Sequence, residues 1–129
     1  MLRCPDDECG QCGILPCADA EHRTYAVDEA LGDVRAERKR QHARWGEQNH
    51  PNVGDSDLWR RSCHNLGRRL EAGARRRLTG PPTYEAILME EVGEALQELS
   101  DDVSLEAELI QVAAVAVAWV EAIRRRRAA

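Results

Sequence analysis

The chain has 129 residues, of which 43% are apolar and 4% aromatic with no Phe, and it carries a formal net charge of −5 with a pI near 5.4. That length suits one domain with at most a short appendage, the apolar share excludes wholesale disorder, and the scarcity of aromatics favours an aliphatic helical core over a sandwich or barrel. The acidic balance disfavours a nucleic-acid partner, and the near-exclusive use of Arg, with Lys39 the only Lys, carries no function by itself.

Residues 1–23 stand apart as a cysteine-bearing extension ahead of a helical domain at 24–129. The segment MLRCPDDECGQCGILPCADAEHR holds Cys4, Cys9, Cys12 and Cys17 but no helical period. Two readings stand side by side. Four thiolates in a loop-rich segment suit a tetrahedral structural Zn²⁺, although only Cys9-x-x-Cys12 has the familiar spacing. The other reading is an extension without a fold of its own. The segment lacks the apolar stretch of a secretory signal, so a cytoplasmic location is expected, where disulfides are disfavoured.

A first helix is expected from about Tyr25 to Arg44, charged along one side. Trp45, Gly46, Gln48 and Asn49 follow in a loop rich in Gly, Pro and Asx residues. Trp45 with Gln48 and Arg44 offers an indole, an amide and a cation suited to stacking on a nucleobase and meeting phosphate. The alternative is a tryptophan packed under the loop and a solvated basic face. A second helix, from about Leu58 to Leu78, is capped by Asp55 or Asp57. It contains Cys63 and His64, which read as helix residues pointing in different directions rather than as a nucleophile and its base. Trp59, and Trp119 further on, are expected in the core.

The third helix, TYEAILMEEVGEALQEL from Thr83 to Leu99, places Ile87, Leu88, Val92, Ala95 and Leu99 on one apolar stripe, with Thr83 as its cap. Glu91 falls inside that stripe, with Glu94 and Glu98 along its edge. The fourth helix, Leu105 to about Arg127 and capped by Ser104, repeats the theme: Glu108 lies in a broad stripe with Leu105, Leu109, Val112 and Val115, and Gln111 lies beside it. Its segment Leu109–Ile123 is too short for a membrane span and contains Gln111 and Glu121. A helix apolar nearly all round is central in a bundle or lies in a subunit interface. Four helices and no strand pattern make an all-α bundle, completed by homo-oligomerisation.

Burying a lone carboxylate costs several kcal/mol unless something compensates its charge. Helices joined by a short turn pack antiparallel, so the pairs Glu91/Glu94 and Glu108/Gln111 can face each other across the bundle. A hard divalent ion such as Mg²⁺ suits converging oxygens of this kind. Arginines of the second helix are the alternative compensating charge.

The stretch EEVGEAL (Glu90 to Leu96), followed after a short turn by ELIQVAAV (Glu108 to Val115), resembles the MazG-like all-α nucleoside triphosphate pyrophosphohydrolases. Upstream, ERKRQHARWGEQNHP (Glu37 to Pro51) resembles a segment found near the start of bacterial and phage MazG-like proteins. The resemblance covers about Tyr25 to Ile123 and leaves out the cysteine-bearing start. It implies a homodimeric or tetrameric helical bundle that hydrolyses a nucleoside triphosphate to monophosphate and pyrophosphate. It also implies Mg²⁺ held by Glu91, Glu94 and Glu108, with an acid as base. The family motif ends in Asp where this chain has Gln111, which brings no charge and cannot act as a base. A non-catalytic nucleotide-binding or interaction protein on the same bundle is therefore the alternative.

Overall fold

The computed structural model describes residues 20–129, with side chains from Ala26 onward, and within them the chain is all-helical. The four cysteines considered for zinc, Cys4, Cys9, Cys12 and Cys17, lie outside the described residues. Four helices follow in order: α1 Ala20–Trp45, α2 Asp57–Arg77, α3 Tyr84–Leu96 and α4 Asp102–Ala128. The chain divides into two compact units. One takes the residues up to Gln48 with Val117–Ala129; the other is Asn49–Ala116.

Helix ends obey local chemistry, though not always at the expected residue. The cap of α2 is Ser56 rather than Asp55 or Asp57: its Oγ accepts from the Trp59 N–H at 3.2 Å, which leaves Asp57 in the first turn facing the positive end of the helix dipole. Thr83 occupies the N-cap position of α3 with extended backbone but makes no side-chain capping bond. α4 begins earlier than expected because Asp101, not Ser104, caps it. Asp101 Oδ1 accepts from the Val103 and Ser104 N–H groups at 3.1 and 3.3 Å, and the Ser104 hydroxyl donates to Oδ2 at 3.1 Å. These bonds hold the Asp101 carboxyl below its usual value. α3 stops at Leu96 instead of Leu99, because the next amides turn back by three residues: Gln97 N–H donates to Glu94 O at 3.2 Å and Glu98 N–H to Ala95 O at 3.0 Å. α1 ends at Gly46, whose φ of +69° is a left-handed conformation that glycine adopts at little cost.

In the second unit, α2 packs on α3 at a glycine contact. Gly67 and Gly93 are both buried, and a Cβ built on either would stand 2.6 Å from the carbonyl oxygen of the other. Ala74, Ala86, Ala95 and Leu105 are buried in the same unit. Asn52 ties the preceding loop to the α3–α4 turn, donating from Nδ2 to Leu99 O at 3.3 Å and to Asp102 Oδ1 at 2.6 Å. In the first unit Ala30 and Ala122 are buried and Arg124 pairs with Asp33 at 2.5 Å.

Among the described residues the buried apolar side chains are thus mostly alanine. Leu109 and Ile110 of α4 are 51% and 61% exposed, and Val120 and Ile123 are exposed too. Trp59, expected inside, is 59% exposed. Trp119 is half-buried, as is Cys63, while His64 is exposed. As one continuous helix α4 exceeds the apolar segment Leu109–Ile123, and by length and composition alone it is long and apolar enough to cross a membrane.

Candidate metal centre

The i, i+3 spacing on α3 sets Glu91 and Glu94 on one face, one helical turn apart. Two turns into α4, Glu108 reaches the same place. One carboxylate oxygen from each of the three lies within 4.8 Å of the others, and all three side chains are half-buried. Oxygens around a single Mg²⁺ at about 2.1 Å stand roughly 3 to 4 Å apart, so small side-chain rotations close this set on one ion. Hard, anionic oxygens are the donor type that such an ion takes.

The charges repel. Glu94 is pushed up to about 7, first by burial, then by the charge of Glu91, a hydrogen bond with Glu108, and the charges of Glu108 and Glu71. Burial, followed by the charges of Glu108 and Glu90, also raises Glu91, against a hydrogen bond with Glu94 that lowers it. The alternative, compensation by arginines of the second helix, is met at Glu94 but not, among the described residues, at Glu91 or Glu108. Arg75 Nη2 pairs with Glu71 Oε1 at 2.6 Å and lies 3.9 Å from Glu94, while its Nε lies 3.7 Å from Glu90. Among the described residues no cation pairs with Glu91 or Glu108.

A stability consequence follows. Glu94 binds its proton more tightly folded, near 7, than at the ordinary glutamate value of 4.5. Its stabilising contribution is therefore complete below about 4.5 and is lost as the pH rises through 7. In the presence of chelator the thermal midpoint is expected to rise from pH 8 to pH 5. Glu94→Gln flattens that rise; an unchanged slope in the variant counts against charge repulsion in the cluster.

Gln111, one turn beyond Glu108, is exposed. Asp101 and Asp102 do not join the cluster, the first being spent on capping α4 and the second on Asn52. Trp45, Arg44 and Gln48 belong to the first unit and the triad to the second. Trp45 is 55% exposed instead of packed inside, with the Arg44 guanidinium 5.1 Å from its ring centroid. Sequence reasoning passed over Glu71 and Arg75. Their i, i+4 spacing, on the side of α2 next to Gly67 and Ala74, is the signal that marks them.

No family model matches the chain, and no curated protein or solved structure matches it either.

Proposed function

We propose that the chain is a MazG-like, Mg²⁺-dependent nucleoside triphosphate pyrophosphohydrolase of the cytoplasm that releases pyrophosphate and leaves the nucleoside monophosphate. The observation that carries this reading is the convergence of Glu91, Glu94 and Glu108 within 4.8 Å, in the order and spacing of the motif it resembles. Bound Mg²⁺ supplies charge compensation for phosphate oxygens and lowers the pKa of water. The protein's part is to hold and orient. Glu91 and Glu94 present their oxygens from one helix face and Glu108 closes the set from α4. Trp45, Gln48 and Arg44 remain candidates for the base and phosphates, and Gln111 can contribute a neutral carbonyl oxygen. The cysteines of the first 23 residues remain a candidate structural zinc site.

Pyrophosphate release from a panel of ribo- and deoxyribonucleoside triphosphates, in Mg²⁺ and in chelator, tests the reading. Release in Mg²⁺ alone supports it. No release by folded protein sinks it and favours the second reading, a nucleotide-binding protein without turnover, for which Gln111 in place of an acid is the specific observation.

Oligomerisation is part of the proposal. Below the membrane-length alternative for α4 stands one physical objection: Glu108, a member of the carboxylate set, would have to enter the bilayer. A second copy covering Leu109 and Ile110 leaves the carboxylates in place and adds the large apolar side chains that the alanine core lacks. Sedimentation of the purified protein is expected to give a dimer or larger species, and Ile110→Lys to dissociate it and lower its thermal midpoint. A wild-type monomer would exclude this assembly.

A further inference from the structure

We propose that Arg75 is a contact for the polyphosphate of a nucleotide held at the carboxylate triad, and that Glu71 is the positioning residue that keeps its guanidinium there. This rests on the metal reading of Glu91, Glu94 and Glu108.

The geometry separates an anchor from a presented group. Glu71 is only 18% exposed and both its oxygens are engaged: Oε1 takes Arg75 Nη2 at 2.6 Å, and Oε2 accepts from Gln97 Nε2 at 2.6 Å. Gln97 Nε2 also donates to Gly93 O at 3.0 Å, so the anchor is tied to α3 as well as to its own helix. The Arg75 side chain is 62% exposed. It leans over Glu90 and Glu94 at 3.7 and 3.9 Å, distances of attraction rather than of hydrogen bonds. Most of its five donors are therefore free, beside a carboxylate of the proposed metal set.

A planar guanidinium takes phosphate oxygens bidentately. Once a divalent ion neutralises the triad, the pull of Glu94 on Arg75 weakens while Glu71 still holds it. The group then faces the phosphates that the same ion binds. The ligand class is a polyphosphate, free or as its nucleoside ester.

Binding of inorganic tripolyphosphate and of an α,β-methylene nucleoside triphosphate in Mg²⁺, measured by calorimetry, tests the assignment. Mn²⁺ binding read by electron paramagnetic resonance reports on the metal set separately. Arg75→Gln is expected to weaken both phosphate probes about tenfold or more while Mn²⁺ affinity holds or rises. Arg75→Lys restores part of the loss, and Glu71→Gln gives a smaller loss of the same kind. Affinity for the probes within twofold of wild type in Arg75→Gln overturns the proposal. So does a parallel loss of Mn²⁺ affinity, which would make Arg75 a structural member of the cluster. Wild-type protein that binds Mn²⁺ but neither probe overturns it and leaves the metal centre standing; wild-type protein that binds none of the three overturns both.

Discussion

Glu91→Gln is expected to lower Mg²⁺-dependent pyrophosphate release at least a hundredfold, about 2.7 kcal/mol of transition-state stabilisation, while raising the thermal midpoint of the apoprotein above pH 7. The two effects have one cause. Glu91 sits half-buried among Glu90, Glu94 and Glu108, and burial with the charges of Glu108 and Glu90 raises its pKa. Its negative charge therefore destabilises the empty fold and is retained at a cost. An amide keeps the size and removes the repulsion, which also relieves Glu94, whose pKa the Glu91 charge helps to raise. The same amide removes an anionic donor from the set that would hold Mg²⁺. Loss of activity with a higher midpoint is the pattern of a site that trades stability for function. A lower midpoint in Glu91→Gln would instead make the three glutamates a stabilising network and count against a metal centre. Melting curves at pH 8 with chelator, beside the release assay, separate these outcomes.

Gly93→Ala is expected to destabilise the fold by about 1–3 kcal/mol and to disturb the same site. The added Cβ would stand 2.6 Å from Gly67 O and 2.8 Å from Glu71 N, both backbone atoms, with Leu70 Cβ at 3.2 Å. Backbone cannot swing aside as the end of a long side chain can, so α2 and α3 must separate. The better helix propensity of alanine, about 1 kcal/mol, offsets only part of this. For a chain of this size each kcal/mol moves the midpoint by roughly 3–5 °C. Gly93 lies between Glu91 and Glu94, so separation also shifts both carboxylates away from Glu71 and Arg75. Mn²⁺ or phosphate affinity is expected to fall along with stability. Gly67→Ala has the same steric cause, meeting Gly93 O at 2.6 Å and Leu96 Cβ at 3.0 Å. Gly73 provides the control: nothing lies within 4 Å of its added Cβ, and Gly73→Ala is expected to stabilise α2 by about 0.5–1 kcal/mol. Equal midpoints for Gly93→Ala and Gly73→Ala would refute the close crossing.

Local features were legible from the residues alone. A 3.6-residue period, Asx and Gly–Pro breaks and the spacing of Glu91 and Glu94 depend on neighbours three or four positions away, and the four helices and the shared face of that pair follow from them. The identity of the caps was less certain because adjacent Asp and Ser residues compete for the same amides, and the winner depends on backbone torsion; thus Ser56 and Asp101 cap α2 and α4. That Glu108 arrives within 4.8 Å of Glu91 and Glu94 depended on how α4 approaches α3, which no local period encodes. The arginine that reaches the acids is Arg75 among the many of α2, because only its side of the helix lies next to α3. The Gly67–Gly93 crossing is likewise a matter of two backbones meeting, and a glycine's missing side chain acquires a meaning only from what stands where that side chain would be. Periodicity determined the helices and the faces of the acids; packing between helices distant in sequence decided which acids meet, which cation watches over them, and how close the backbones must come to hold them there.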